Sequence, residues 1–355
     1  MGALPKIVVK NSKTTSSLNR PGMASKVAMV GAFEELFTTP VSVKSLDEAK
    51  EKLGTDKTYN GVASAYQLFG KYSGVSSILA INITTKSGSG DQETIDKTLT
   101  TQKLTEALAK IKGEDFDMLF IAEEISDEAH AIITEFLEES YEIKRPNGLI
   151  APINRSTKAQ FQATCELAHD IIYHYQAQAL KVDGVQLSLV ESSAFMCGYI
   201  ASLNVAQSLT NHIIPGVEAI SPEYSFEDGD LGKDLVTMGV PVMKCVNREN
   251  NEYVVVNSEL PNGLDIYINR TRDFVIKQFN LETFLGSWNT DNTITAIKGE
   301  LNRVKSYCVN TLNLLLDINY EIGKVSSTCV EVHINKLVFA GIITEIDVIV
   351  EIEVQ

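Results

Sequence analysis

FDMLFIAE (116–123), DEAHAIITEFLEESYEIK (127–144) and GLIAPIN (148–154) follow one another with short polar breaks between them. The first and third are continuous apolar runs, the pattern of strands covered on both faces. The middle segment reads as a helix. Strand, helix and strand in that order argue for an α/β fold.

The same alternation extends outward over about residues 41–260. On the N-terminal side, SKVAMVGAF (25–33) is a strand of small and branched apolar residues. SLDEAKEKLG (45–54) is a helix opened by Ser45 with Glu48 three residues on and stopped by Gly54. YNGVASAYQLFGKY (59–72) reads as a helix, SSILAINIT (76–84) as a buried strand and KLTEALAKIK (103–112) as a helix. On the C-terminal side, KAQFQATCELAHDIIYHYQAQ (158–178) reads as one long helix. Two further helical patterns follow at 265–285 and 291–317. In the second, Ile294, Ile297, Leu301, Val304, Cys308, Leu312 and Leu315 form one apolar stripe. CVEVHI (329–334) and KLVFAG (336–341) carry strand signals.

The two ends differ from the rest. LPKIVVK (4–10) is a short strand containing Lys6, Ile7, Val8, Val9 and Lys10. A polar stretch ending at Pro21-Gly22 separates it from the body, as a linker would. At the other end Ile346, Val348, Val350, Ile352 and Val354 alternate with Glu345, Asp347, Glu351 and Glu353, the sharpest two-residue period in the chain. Residues 1–33 hold bases and no acid, while the last strand holds acids and no base, so the ends are electrostatically complementary. An apolar-faced strand at a chain end needs a cover. A local hairpin with KLVFAG is one solution, and pairing with another subunit is a second. The organisation expected is an extended arm and linker over 1–20, an α/β domain over 21–260, a smaller C-terminal α+β domain over 261–340 and a strand arm over 341–355.

Composition narrows the function. The 355 residues carry a formal charge of −15, which disfavours free nucleic acid as a partner. No run approaches the roughly 20 apolar residues of a membrane-spanning helix, and the start lacks a signal peptide's features, so a cytoplasmic protein is expected. The five scattered cysteines form no CxxC pair and read as reduced thiols. Gly88-Ser89-Gly90 lacks the third glycine of a dinucleotide loop, because residue 93 is Glu. Gly70-Lys71 is followed by Tyr72 and is no P-loop. His169 and His174 are spaced five apart, which does not put two metal ligands on one helix face. No catalytic constellation emerges, and no cofactor or metal is expected.

Three segments, 194–225, 230–260 and 266–316, resemble the contractile tail sheath family of phages and phage-tail-like bacteriocins. The first has an Ala/Gly-rich helix, then Ser208-Leu209-Thr210 and a following Pro. The second runs from a helix through Gly239 to two strands. The third opens with Arg270-x-x-Asp273-Phe274 and continues into a helix pair. Many members carry Trp-Gly-Ala-Arg-Thr where this chain has VVVNSELPNG (254–263), and the front half matches only in layout. The resemblance implies a structural subunit, not an enzyme. Such subunits stack as six-membered rings around an inner tail tube and contract to drive it through a cell envelope. Their partners are other sheath subunits, the tube protein, the baseplate and the tail terminator, in a particle assembled in the host cytoplasm and then released. It also implies that both arms add strands to neighbouring subunits, and that the C-terminal domain faces the tube. Lys298, Arg303 and Lys305 on the helix 291–317 are the tube-facing candidates. The alternative is a soluble α/β enzyme or ligand-binding protein.

Overall fold

A computed structural model describes residues 25–72, 74–87, 94–142, 146–167, 172–279, 284, 290–324 and 330–339. Both arms, 4–10 and 345–354, lie outside the described residues, as do Gly88, Ser89, Gly90, His169 and Cys329.

The described residues open with β1 (Ser25–Gly31), whose Val27 to Val30 are wholly buried. After β2 (Val41–Val43), α1 (Leu46–Leu53) starts where the Ser45 hydroxyl accepts from the Glu48 N–H, 3.2 Å away. It ends at Gly54, whose φ of +107° glycine adopts freely and a residue with a side chain only at a cost. Then come α2 (Asn60–Gly70), β3 (Val75–Asn82) and a short exposed hairpin of β4 (Thr85–Ser87) and β5 (Thr94–Asp96). Next are α3 (Thr101–Ala109), β6 (Met118–Ile121), α4 (Asp127–Glu142), β7 (Gly148–Pro152), α5 (Lys158–Glu166) and β8 (Ile172–Gln176).

These strands form one six-stranded sheet in the order β2-β3-β1-β6-β7-β8, parallel except for β2. Every residue of β6 and β7 is buried, which is why those runs carry no polar alternation. The fold class is α/β, as the strand–helix–strand pattern indicates. The carboxyl end of β1 approaches its neighbours closely: a Cβ on Gly31 would sit 2.7 Å from that of Ala122.

The stretch 158–178 is not one helix. It stops at Glu166, and Ile172–Gln176 instead forms β8, paired with β7 through Leu149↔Ile172 and Ile150↔His174. All five β8 residues are buried, and aromatic and branched side chains suit a sheet packed against others. Burial lowers the His174 imidazole to about 4, so it sits neutral, with Nε2 2.8 Å from Gln176 Oε1.

Beyond the sheet, β9 (Ala179–Val182) sits between β10 (Val185–Gln186) and β11 (Val217–Ser221). Between those outer strands lies α6 (Leu189–Ser202), which has eleven buried residues and packs on α2, β7 and β8. A helix apolar on all sides belongs inside. Next, α7 (Leu231–Thr237) precedes the β12 (Met243–Asn247) and β13 (Glu252–Val255) hairpin. The described residues close with α8 (Ile266–Gln278), α9 (Asp291–Ser306), a π-helical turn (Tyr307–Thr311), β14 (Asp317–Lys324) and β15 (Val330–Val338).

The α9 stripe is buried at Ile297, Leu301, Val304, Cys308, Leu312 and Leu315, while Ile294 stays half-exposed. The helix is shorter than the periodicity suggests: it stops at Ser306, the π turn takes Cys308, and Leu312 and Leu315 lie beyond that turn. CVEVHI and KLVFAG are not separate strands. Both contribute to β15, whose partner is 317–324, a strand that the polar DINYEIGK does not advertise. Two apolar clusters result. The large one fills both faces of the sheet. The small one joins Val205, Val275, Val304, Cys308, Leu314 and Ile318.

Candidate assembly surface

The β14–β15 hairpin is the most exposed regular element at the C-terminal end. Ile318↔Leu337, Tyr320↔Ile334 and Ile322↔Val332 are opposed pairs on one face, so that face is apolar along its length. Its root is fixed. Ile318 and Leu337 join the small cluster, the Leu316 N–H donates to the Val338 carbonyl at 2.7 Å, and the Tyr320 hydroxyl donates to Asn302 Oδ1 of α9 at 2.6 Å. Farther out the cover is thinner: Ile334, opposite Tyr320 midway along the hairpin, is 37% exposed. Among the described residues the hairpin is a sheet of two strands. A two-stranded sheet in water is marginal and gains stability from a third strand. This surface can therefore accept a strand.

The three cationic candidates on α9 are not alike. Lys298 is exposed and makes no ion pair among the described residues. Arg303 holds Glu300 through Nε and Nη2, each at 2.7 Å, and Nη2 also reaches the Gln278 carbonyl at 3.3 Å. Lys305 pairs with Asp317 of β14 at 2.6 Å, and that hydrogen bond lowers the Asp317 carboxyl below its usual range. Arg303 and Lys305 thus support α9 and the hairpin root from within the subunit. Lys6, Ile7, Val8, Val9 and Lys10, and the alternating residues 345–354, cannot be placed, since they lie outside the described residues.

Sequence reasoning missed the polar seam that fastens α8 to the body. At its start Asp265 caps the helix and accepts from the Ser208 and Ser258 hydroxyls at 2.8 and 2.6 Å, while the Ser258 N–H donates to the Thr210 hydroxyl. At its middle Asp273, 3% exposed, accepts from the hydroxyls of Tyr141 on α4 and Tyr173 on β8, and from Arg272 Nε at 3.0 Å. Burial and the adjacent Asp273 keep the Tyr173 hydroxyl protonated. At its end Lys277 donates to the Phe116 carbonyl and to Asp117 at 2.9 Å. The Ser208-Leu209-Thr210 and Arg270-x-x-Asp273 motifs belong to this seam. Tyr173 was out of reach of any sequence reading that placed it in a helix.

A doubly wound sheet offers ligands the crevice beyond its carboxyl ends where strand order reverses. Here that is a groove of about 560 Å³ lined by Asn60, Lys97, Glu123, Glu124 and Ser188. Burial raises the Glu123 carboxyl to about 7, and Asn60 Nδ2 donates to it at 2.8 Å. The Ser188 hydroxyl caps α6, and no histidine or cysteine is among the described lining residues. No described group of His, Cys, Asp or Glu is arranged to hold a metal ion, and no described helix is long and apolar enough to cross a membrane.

No family model and no curated protein sequence matches the chain. Solved structures do. The helical sheath of the anti-feeding prophage in its contracted state is similar over 99% of both chains, with 11% identity and a TM-score of 0.63. A sheath tail protein from Desulfitobacterium hafniense covers 88% of this chain and 96% of its own, at 13% identity and TM-score 0.59. One from Listeria innocua covers 86% and 87%, at 11% and 0.54. From the six-stranded sheet to the terminal hairpin, this chain has the fold of the contractile tail sheath proteins.

Proposed function

We propose that the chain is a non-enzymatic sheath subunit of a contractile tail or tail-like particle, assembled in the producing cell's cytoplasm. The observation that carries this reading is the likeness to a contracted sheath over 99% of both chains. Subunits form stacked six-membered rings around an inner tube, bounded by baseplate and terminator, and compaction of the stack drives the tube forward. The body spans 21–260 and the C-terminal domain 261–340. The β14–β15 hairpin receives strands from the arms 1–20 and 341–355 of neighbouring subunits, where backbone hydrogen bonds supply affinity and the alternating side chains set register.

Lys298 is the tube-facing cation of the α9 set, since Arg303 and Lys305 are engaged within the subunit. No cofactor takes part. Deleting residues 1–13, or 345–355, tests the arms. Each truncated subunit should keep a native circular dichroism spectrum and sediment as small species. Long polymers from either one would refute the strand mesh.

A further inference from the structure

A cavity of about 40 Å³ lies where α8 meets the amino-terminal ends of β1 and β6, lined by Ser25, Asp117, Tyr173, Arg270, Asp273 and Lys277. Arg270 is 4% exposed. Its Nη2 donates to the Leu203 carbonyl at 3.3 Å, and its Nη1 has no hydrogen-bond partner among the described residues. The other charges around the cavity are spoken for. Asp273 accepts from Tyr141, Tyr173 and Arg272. Asp117 accepts from Lys277 Nζ through Oδ1 and from the Lys26 N–H through Oδ2. Asp115 pairs with Lys26 at 2.8 Å and lies 3.6 Å from Lys277. Of the charged groups that line the cavity, Lys277 pairs with Asp117 and Asp273 pairs with Arg272, and Arg270 alone makes no carboxylate ion pair among the described residues.

A buried charge must be paired or it is costly. A lysine could shed its proton, but a guanidinium cannot. Water can satisfy the Nη1 donor without neutralising the charge. Room for about three water-sized centres fits a halide-sized ion with its remaining water and excludes bulky organic anions. We propose that this cavity is a binding site for one small monovalent inorganic anion of chloride size, held by Arg270 Nη1 at the seam between α8 and the body.

The test uses the full-length chain, with chloride exchanged for gluconate at constant ionic strength. Chloride should broaden saturably in NMR, bromide should reverse the broadening, and the melting temperature should rise by about 2 °C toward saturation. Arg270→Met should lose both responses. Coincident melting curves in the two salts would overturn the site and leave water as the sole occupant. If Arg270→Met fails to fold, the wild-type titration decides alone: broadening that stays linear and ignores bromide overturns the proposal. Neither readout requires assembly, so the result is independent of the sheath reading.

Discussion

Replacing Asp273 with Ala tests whether the polar seam holds α8 to the body. Both carboxylate oxygens are occupied, Oδ1 by Tyr141 and Arg272 and Oδ2 by Tyr173 at 2.5 Å. Without the carboxylate, the Tyr173 hydroxyl is stranded on a residue 3% exposed, and Arg272 loses its counter-charge. Removing one partner of a buried pair costs about 3–5 kcal/mol, and an unsatisfied buried hydroxyl about 1–3 kcal/mol. These overlap, because the stranded hydroxyl is part of the first cost, and the Arg272 side chain is 24% exposed and regains some water. The expected loss is about 3 kcal/mol. Tyr173→Phe leaves Asp273 two donors and should cost about 1 kcal/mol. In that background Asp273→Ala strands one hydroxyl fewer, so the double variant should cost about 1 kcal/mol less than the sum. Urea denaturation followed by circular dichroism measures all four proteins. An Asp273→Ala loss within about 0.5 kcal/mol of zero, as for an ordinary surface change, would refute the seam.

Stability should depend on pH in two opposed ways. Burial lowers His130 and His174 to about 4 each, from 6.5, so the unfolded chain binds more protons in that window and stability falls as pH drops through it. Glu123, raised to about 7 from 4.5, contributes stability that is lost as pH rises through that range. Glu123→Gln should therefore steepen the acid destabilisation between pH 7 and pH 5; urea midpoints that change equally with pH in both proteins would reject the assignment. Lys298→Glu should weaken co-sedimentation with inner tube while leaving the melting temperature unchanged, and undiminished co-sedimentation would remove Lys298 from the tube interface. Replacing Lys6 and Lys10 with Glu should inhibit polymerisation at low salt, through cross-strand terms of about 0.2–1 kcal/mol per pair that fade at high salt. Adding Glu351→Lys and Glu353→Lys should partly restore it; a double reversal no better than the single would show that the ends do not meet through these charges.

Much of the body was legible because its strands are short, two of them wholly apolar, and several of the helices between them are capped. Met118–Ile121 and Gly148–Pro152 have no polar residue to blur them, and Ser45 and Gly54 mark both ends of α1. The reading failed where polar residues are buried or apolar ones exposed. Ile172–Gln176 carries His174 and Gln176 inward, so it looked like the continuation of a helix rather than a strand. Asp317–Lys324 alternates polar residues with Ile318, Tyr320 and Ile322 on a hairpin that is covered only at its root, and it gave no buried run to recognise. The seam was invisible for another reason. Asp273 meets Tyr141 across 132 positions of chain and Tyr173 across 100, and no local pattern encodes such a meeting. The cationic stripe on α9 was found, but only the fold separates Lys298 from Arg303 and Lys305, whose partners Glu300 and Asp317 lie on the next turn and on the hairpin.

A subunit that polymerises into a tail sheath should, in electron micrographs of the full-length protein alone and co-expressed with its tube, form rings and helical sleeves with six-fold end views, lengthened by the presence of tube. Uniform small particles under all conditions, stabilised by a small molecule in the groove beside Glu123, would contradict sheath assembly and favour a ligand-binding α/β protein instead.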